Sequence, residues 1–490
     1  MMIKGTNPLT RLDYPDPDVI RVGDTYYMVS TTMYFMPGCV ILRSFDLVKW
    51  EFCTHVYDKL EDTPRENLDG AHAYGNGMWA PTMRYHDGVY HIVFVANDTH
   101  KTYHYTATDI MGPWKKSYIE GFYHDPSLLW DDDGRVYIMY GNRSIRVTEL
   151  ESDLSGPKEG GINKVVIEDK TGAPLGYEGT HLYKLNGKYY AFFIHSLPDR
   201  WLRVEACFVS DKIDDGWHGG DVIVDPFDGT SGVAQGGIVD TPNGKWYGVI
   251  FGDRGAVGRI PNLVPMHFDE TGFPVFETVT KEIECESTRP DYQYAPLYHS
   301  DDFSGELDGA WEWNHNPVLS HVKIDGGLYL DALEAPNFEY AKNTLTQRAL
   351  WDKCAAEVTV DAEKLEIGGF AGIAALQYRY GALGVERTAD GCRVVLKLRD
   401  DGEEYVAETC EINGTTARLK VAYEFGHGKD FAEFYLLADG EWRQLGGKHR
   451  MTFDLKHFTG CRFGLFAYGT NGVCGTAKFN DFKYIDYEND

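Results

Sequence analysis

Short segments rich in Tyr, Val, Ile and Phe recur along the chain, and turn pairs such as Asp-Gly, Asn-Gly and Gly-Asp separate them. Apolar and polar residues that alternate between such turns are typical of β-strands. Stretches with the 3.6-residue hydrophobic period of an amphipathic helix are scarce. The pattern therefore predicts an all-β protein.

Five of the turns are each followed by an aromatic-rich strand, and together they form a repeat. The turns begin at Gly23, Asp87, Asp133, Asn186 and Asn243, so their spacings are 64, 46, 53 and 57 residues. A four-stranded propeller blade with its loops has about this length. The repeat predicts a five-bladed β-propeller over residues 1–290. The alternative is a chance series of tandem hairpins.

One residue lies seven positions before Gly23 or eight positions before each of the other turns, at the start of a short strand. These residues are Asp16, Trp79, Asp125, Glu178 and Gln235. If each strand is the innermost one of its blade, the five side chains lie near the same end of the central channel. Three of the five are carboxylates, contributed by the first, third and fourth repeats.

The pattern changes after about residue 298. Alternating strands such as residues 355–360 and 393–398 follow Asp301-Asp302-Phe303, and turn signals separate them at roughly even spacing. This spacing predicts a β-sandwich over residues 298–490, of the jelly-roll or concanavalin-like type. Residues 277–298 are interpreted as the linker.

Composition narrows the classes of function. The formal net charge of −28 over 490 residues leaves no basic surface for nucleic acid and disfavours strongly anionic polysaccharides. Its simplest explanation is an acidic, well-solvated surface. Aromatic residues make up 14% of the chain; they stack on sugar rings, but they also fill β-rich cores.

The cysteines and the N-terminus bear on location. Nine cysteines without a C-x-x-C pair favour free, mostly buried thiols in a reducing compartment over disulfides or a zinc site. The first residues lack the apolar region of a signal peptide, and no apolar run approaches membrane-spanning length. We expect a cytoplasmic protein without a membrane partner, unless an export signal was removed.

Three carboxylates around a channel can hydrolyse a glycoside. One protonates the departing oxygen, and a second, on the opposite face of the sugar, deprotonates a water about 6.5–9.5 Å away in an inverting enzyme. A third carboxylate raises the pKa of the acid by like-charge repulsion. Carboxylates from different blades give the wide separation of an inverting enzyme more naturally than the narrow one of a retaining enzyme.

Four segments resemble those of family 43 of the glycoside hydrolases, which includes β-xylosidases and α-L-arabinofuranosidases. They are residues 14–18 (Tyr-Pro-Asp-Pro-Asp), 79–85 (Trp-Ala-Pro-Thr-Met-Arg-Tyr), 124–128 (His-Asp-Pro-Ser-Leu) and 177–183 (Tyr-Glu-Gly-Thr-His-Leu-Tyr). Residues 311–317 are similar to the start of the sandwich domain of the β-xylosidase type. The resemblance covers the whole chain and implies a five-bladed propeller.

The resemblance also implies roles. Asp16 would be the general base, Glu178 the general acid, and Asp125 the residue that tunes the pKa of the acid and orients it. Arg259 would contact a sugar hydroxyl and Asp125, or it is an ordinary ion-pair partner. Trp79 would line the pocket, or it belongs to the core.

Other candidates have simpler readings beside the functional one. Phe35 would form an apolar wall of the pocket, or it belongs to a packed loop. His195 and His181 are candidate pocket residues, although satisfied core histidines are commoner. Asp18 would bind a ligand or meet a basic neighbour.

Gln235 stands where many members of the family place a histidine associated with calcium. Its amide oxygen can serve as a calcium ligand, so a structural Ca²⁺ in the channel is retained, hydrated or lost. The chemistry itself requires no cofactor.

These observations predict an exo-acting, inverting glycosidase that releases terminal α-L-arabinofuranosyl or β-D-xylosyl units from xylan-derived oligosaccharides. The sandwich closes one end of the pocket or supports a homo-oligomer. A retaining fructan- or sucrose-cleaving propeller is a poorer match, because it would carry a Trp-Met-Asn-Asp-Pro type motif near Asp16. A sugar-binding propeller without turnover is the alternative from another class.

Overall fold

The computed structural model describes residues 1–426 and 429–488. Over these residues the regular structure consists of 38 strands and four short 3-10 helices. The helices are Phe227–Gly229, Gly255–Val257, Leu319–His321 and Phe338–Tyr340. Within the described ranges, no helix is long and apolar enough to cross a membrane. The predicted all-β class is confirmed.

Five antiparallel four-stranded sheets form the blades of a propeller. Strand β1 (Met2–Thr6) precedes them. Blade 1 spans β2 (Asp18–Val22), β3 (Thr25–Ser30), β4 (Phe35–Met36), β5 (Gly38–Ser44) and β6 (Glu51–Tyr57), of which β4 leaves the blade. Blade 2 spans β7 (Met78–His86), β8 (Val89–Ala96), β9 (Lys101–Ala107) and β10 (Lys115–Ile119). Blade 3 spans β11 (Ser127–Trp130), β12 (Val136–Tyr140), β13 (Ser144–Leu150) and β14 (Asn163–Glu168). Blade 4 spans β15 (Glu178–Leu185), β16 (Lys188–Ser196), β17 (Arg203–Ser210) and β18 (His218–Ile223). Blade 5 spans β19 (Val233–Asp240), β20 (Trp246–Asp253), β21 (Arg259–Phe268) and β22 (Pro274–Phe276).

The structure corrects the alignment of the repeats by one residue in two blades. The five residues that share a left-handed φ near the start of the innermost strand are Asp16 (51°), Ala80 (37°), Asp125 (48°), Gly179 (66°) and Gln235 (66°). Trp79 and Glu178 therefore lie one position ahead of the equivalent residues. The offset arises because the positions were counted back from the turns, and the turns differ in length. The turns of blades 2 and 4 have two residues, whereas those of blades 3 and 5 have three.

A buried ion pair occupies the channel below these residues. Asp18, from blade 1, accepts hydrogen bonds from the hydroxyl of Thr82 at 3.0 Å and from the guanidinium of Arg84 at 2.7 Å, both in blade 2. Its other oxygen lies 3.2 Å from Nδ1 of His181 in blade 4. Arg84 also donates to Ser127 of blade 3 at 2.7 Å. This pair joins four of the five innermost strands.

Two further sheets form the sandwich. Strand β23 (Glu282–Glu286) pairs with β1, and the sandwich strands then begin at Glu312. They are β24 (Glu312–Asn314), β25 (Val322–Ile324), β26 (Leu328–Asp331), β27 (Leu333–Glu334), β28 (Leu345–Arg348), β29 (Lys353–Asp361), β30 (Gly369–Leu376), β31 (Gly381–Thr388), β32 (Gly391–Leu398), β33 (Tyr405–Glu411), β34 (Thr416–Glu424), β35 (Phe431–Ala438), β36 (Glu441–Arg450), β37 (Arg462–Gly469) and β38 (Thr476–Asp486). The predicted division at residues 290–298 falls between the two sets of strands.

The propeller contributes a strand to the sandwich. One sandwich sheet has the order β33-β32-β31-β30-β37-β28-β24-β4, with β27 on β37, and the other has the order β25-β26-β38-β29-β34-β35-β36. The edge strand β4 comes from a loop of blade 1, where Met36 pairs with Trp313 and Phe35 with Asn314. The backbone thus connects the two domains directly.

Buried charges reinforce this contact. The Glu312 carboxylate is fully buried and pairs with Arg348 at 3.1 Å and Arg462 at 2.5 Å. Arg348 donates to the carbonyl of Asp13 at 2.9 Å, and the guanidinium of Arg462 lies 3.4 Å from the centre of the Phe35 ring. Arg348 and Arg462 both belong to the sandwich, and both therefore contact the propeller.

All nine cysteines lie in the described part of the chain; each is unpaired and eight are buried. They pack as small apolar side chains, in agreement with the prediction of free thiols.

Replacement of Asp18 tests the ion pair in the channel. We expect Asp18→Asn to lower the free energy of unfolding by about 3–5 kcal/mol, because Arg84 would stay buried without its counter-charge. Chemical denaturation near neutral pH measures this loss. Asp133→Asn makes the same change at an ion pair in an exposed turn and should leave the denaturation midpoint unchanged.

The same pair predicts a dependence on pH. Burial acts to raise the pKa of Asp18, but Arg84 and His181 overcome it and hold that pKa well below its usual range. A carboxylate with a depressed folded pKa stabilises the protein above its unfolded pKa of about 3.9 and loses this contribution as the pH falls. The stability gap between the wild type and Asp18→Asn should narrow below about pH 4; a constant gap would contradict the assignment.

Candidate active site

A pocket of about 220 Å³ opens at the end of the channel where the innermost strands begin. Its lining comes from both domains: Asp16, Trp79, Ala80, His124, Asp125, Leu175, Glu178, Ile194, Trp201, Arg203, Gln235, Phe251 and Arg259 belong to the propeller, and Leu455 and Phe458 belong to the sandwich. The three predicted catalytic carboxylates therefore meet in one pocket. The sandwich contributes two side chains to its lining.

Asp16 is held rigidly in this pocket. Its side chain is buried; Oδ1 pairs with the guanidinium of Arg259 at 2.6 Å and Oδ2 accepts a hydrogen bond from the hydroxyl of Thr31 at 2.7 Å. Its left-handed φ costs a non-glycine residue about 1–2 kcal/mol. Strain of this kind clusters at functional sites, where the surrounding structure maintains it.

Asp125 and Glu178 form a close group in the pocket, together with His124. Ligand-type atoms of the three side chains all lie within 4.8 Å of one another, and Asp16 is not a member of this group. Nε2 of His124 is 3.5 Å from Oδ2 of Asp125 and 3.4 Å from Oε2 of Glu178. Asp125 also accepts the backbone N–H of Gly179 at 2.9 Å.

The charges of this group influence one another. The carboxylates, Asp125 foremost, raise the pKa of His124 to about 9. Burial raises the pKa of Asp125 to about 6; the His124 charge opposes this shift, and Glu178 and Asp16 add to it. His124 therefore carries a positive charge at neutral pH and pairs with ionised Asp125.

Trp79 and Arg259 line the pocket as predicted, but one predicted contact of Arg259 is wrong. Its guanidinium pairs with Asp16 instead of Asp125. It also lies 4.7 Å from the ring centre of Phe458, and that ring is 5.1 Å from Trp79. The buried indole N–H of Trp79 has no hydrogen-bond partner within the described ranges.

Phe35 and His195, both predicted to bind substrate, do not line the pocket. Phe35 belongs to β4, and its buried side chain packs among sandwich residues beneath Arg462. His195 follows pocket-lining Ile194 on β16, so its side chain points to the opposite face of the sheet. There it meets Asp221 at 2.8 Å and the ring of Tyr177.

The structure adds residues that the sequence reasoning missed. His124 lies in the motif of residues 124–128, but only its neighbour Asp125 was predicted to have a role in the reaction. Asn142 donates a hydrogen bond to Oε2 of Glu178. Asp13 accepts the backbone N–H of Arg259 at 2.7 Å and that of Gly460 at 2.8 Å. The buried Asp13 carboxylate thus ties the arginine of the pocket to the sandwich loop that carries Phe458.

The surroundings of Gln235 bear on the predicted calcium ion. Its backbone N–H donates to Oε2 of Glu205 at 2.6 Å, and its side chain lies against Gly179. The nearby channel carboxylate, Asp18, is already paired with Arg84. Calcium needs six to eight oxygen ligands, and a guanidinium stands among the groups that would supply them. The donor set therefore fits calcium poorly.

Comparison with known proteins agrees with this arrangement. The model of "Glycosyl hydrolases family 43" matches residues 5–274, and that of the "Beta xylosidase C-terminal Concanavalin A-like domain" matches residues 300–487. A putative beta-xylosidase of Xylanibacter ruminicola is 30% identical over 358 residues, which cover 68% of this chain and 65% of that protein. The xylosidase/arabinosidase 43B of Humicola insolens is 27% identical over 545 aligned positions, which cover 98% of this chain and 97% of that protein.

A solved structure of a bifunctional GH43-CE protein of Bacteroides eggerthii is 37% identical, with a TM-score of 0.92 over 99% of this chain. The chain spans about two thirds of the length of two of these proteins, 64% of the solved structure and 65% of the Xylanibacter protein. The first of the two family models covers more than half of the chain. The chain belongs to family 43 of the glycosyl hydrolases.

Proposed function

We propose that the protein is an exo-acting, inverting glycosidase that releases terminal α-L-arabinofuranosyl or β-D-xylosyl units from xylan-derived oligosaccharides. The observation that carries the proposal is the meeting of Asp16, Asp125 and Glu178, from blades 1, 3 and 4, in one small pocket. Asp125 and Glu178 form a close group with His124, and Asp16 is not a member of that group. A general acid with an adjacent modulator and a separate base requires such an arrangement.

The pocket supports exo action because its lower end is blocked. Asp18, Arg84 and His181 fill the channel beneath the carboxylates. A wall from the sandwich, formed by Phe458, closes over Arg259. A pocket of about 220 Å³ with a blocked lower end suits a chain end better than a passing polymer.

The proposed reaction is a single displacement. Asp16 accepts a proton from a water whose oxygen attacks the anomeric carbon, while Glu178 donates its proton to the departing glycosidic oxygen as the bond to carbon breaks. Arg259 and Thr31 fix the base. Asn142 and His124 fix the acid.

His124 lies beside both carboxylates of the acid group, Asp125 and Glu178. An imidazolium beside two carboxylates neutralises one of them, and its contact with buried Asp125 forms the ion pair. Trp79, whose buried indole N–H has no hydrogen-bond partner in the described part of the chain, lines the same pocket.

The choice of pentose rests on relatives. The Humicola protein is named for both xylosidase and arabinosidase activity, and the Xylanibacter protein is named a putative beta-xylosidase. Arabinofuranose and xylopyranose can present similar hydroxyl arrangements, so one pocket can accept both. The cytoplasmic location and a homo-oligomer stay predictions.

A panel of nitrophenyl glycosides tests this function. We expect turnover of the α-L-arabinofuranoside, the β-D-xyloside or both, and little turnover of the corresponding hexosides, whose extra hydroxymethyl group must fit the closed end of the pocket. Released nitrophenol measures the rates. Activity confined to hexosides would contradict the proposal.

Replacement of Glu178 tests the acid. We expect Glu178→Gln to lower kcat on unactivated xylo-oligosaccharides by about 10²–10⁴-fold, because the departing oxygen is no longer protonated. A dinitrophenyl leaving group needs less protonation, so its rate should fall much less. Glu159→Gln makes the same change on the exposed surface and should be inert. Near wild-type activity of Glu178→Gln on oligosaccharides would refute the role of the acid.

The stereochemistry of the product tests the base. Proton NMR early in the reaction should show a first-formed sugar with the anomeric configuration opposite to that of the substrate, because water attacks from the face of Asp16. Retention would mean that a carboxylate attacks the anomeric carbon directly.

A further inference from the structure

Two large apolar side chains are exposed at the mouth of the pocket. Trp201 is 52% exposed and Leu455 is 71% exposed, although both line the pocket that holds the carboxylates. They come from different domains: Trp201 lies between β16 and β17 of the propeller, and Leu455 lies between β36 and β37 of the sandwich. Exposed apolar surface at the rim of a site is typical of a contact with ligand.

Trp201 is held in place without being buried. The backbone of its loop is closed by a hydrogen bond from Leu197 to the carbonyl of Leu202 at 2.9 Å. The guanidinium of Arg203 lies 5.8 Å from the centre of the Trp201 ring, and Asp253 anchors that guanidinium at 2.9 Å. The indole is therefore presented on a rigid support, which reduces the entropy lost when a ligand stacks on it.

Leu455 is also presented by a rigid loop. The backbone N–H groups of His457 and Phe458 donate to the carbonyl of Asp454 at 3.1 and 2.7 Å. A Cβ built on Gly75 of the propeller would lie 2.7 Å from the carbonyl oxygen of Leu455. The loop thus packs directly on the propeller backbone and places the exposed Leu455 side chain at the mouth.

The position of the acid decides which part of the substrate Trp201 meets. Glu178 and Trp201 both belong to blade 4. Glu178 protonates the departing oxygen, so the leaving group extends from the side of the pocket that Glu178 occupies. A pyranose ring carries apolar C–H faces that pack on an indole.

We infer that Trp201 and Leu455 form the subsite for the leaving group, where they hold the first pyranose ring of the oligosaccharide beyond the bond that is cut. The inference rests on the proposed function. It assigns these two side chains to recognition of the oligosaccharide and not to the reaction at the terminal pentose.

Two substrates with the same terminal sugar test the subsite. The first is a xylo-oligosaccharide and the second is the pentosyl fluoride, whose leaving group has no ring. We expect Trp201→Ala to lower kcat/KM for the oligosaccharide by about 10-fold, the effect of one lost apolar contact surface, and to leave the fluoride unchanged. Leu455→Ala should act in the same direction with a smaller loss.

Matched variants control for changes in surface apolarity. Tyr85→Ala removes an exposed aromatic ring near the opposite end of β7, and Ile367→Ala removes an exposed aliphatic side chain of the sandwich. Both should leave both substrates unaffected. Equal losses on the two substrates in Trp201→Ala would show that the ring supports the pocket itself, and no loss on either would show that the leaving group lies elsewhere; each result overturns the subsite.

Calorimetry in the Glu178→Gln background separates this inference from the proposed function. Xylotriose should bind about 10-fold more weakly when Trp201→Ala is added, whereas binding of the monosaccharide should not change. If the wild type releases no sugar from any pentoside, the proposed function fails. The binding comparison still decides whether Trp201 holds a second sugar ring, and equal affinities for xylotriose would overturn that assignment.

Discussion

The contact between Asp18 and Arg84 is the constraint on which the propeller site depends. It lies at the centre of the channel and joins innermost strands from four blades through Thr82, Ser127 and His181. Asp16 lies two residues before Asp18, and Glu178 lies three residues before His181. The same interaction that fixes the strands therefore fixes two of the three catalytic candidates. It also blocks the channel below them, which gives the pocket its closed end.

The sandwich domain supplies part of the pocket that the propeller forms. Phe458 packs over Arg259, and Asp13 accepts backbone N–H groups from Arg259 and Gly460. The guanidinium that fixes Asp16 is consequently placed by contacts from both domains. A carboxylate that is buried without a cation of its own is costly unless hydrogen bonds satisfy it, and here the two N–H groups do so.

The sequence sufficed for features that repeat or that depend on local chemistry. Five similar turns predicted five blades, and the residues before them included Asp16, Asp125 and Gln235 at equivalent positions. Glu178 lies one residue before the equivalent position of its blade. A bulge follows it in the strand pairing, and its side chain lines the pocket. Family resemblance supplied Arg259, which no repeat marks.

Features that depend on contacts between distant parts of the chain could not be predicted in this way. Phe458 is 199 residues from Arg259, whose guanidinium donates to its carbonyl, and nothing in its own segment indicates a pocket. Of the two alternatives for Phe35, the packed loop agrees with the structure, because its backbone pairs with β24. His195 does not face the pocket because side chains alternate between the two faces of a strand, and its neighbour Ile194 is the residue that lines the pocket.

The pairing of β4 with β24 also determines how far the two domains can be treated as modules. Phe35 and Met36 occupy the hydrogen-bonding edge of the sandwich sheet, and an exposed edge strand is a template for aggregation. A sandwich expressed by itself would lose this cover and would also expose the arginines that meet the propeller. The two domains are therefore better regarded as one cooperative unit than as exchangeable modules. A chimaera that combines domains from two relatives should keep residues 33–37 together with the sandwich whose sheet they complete.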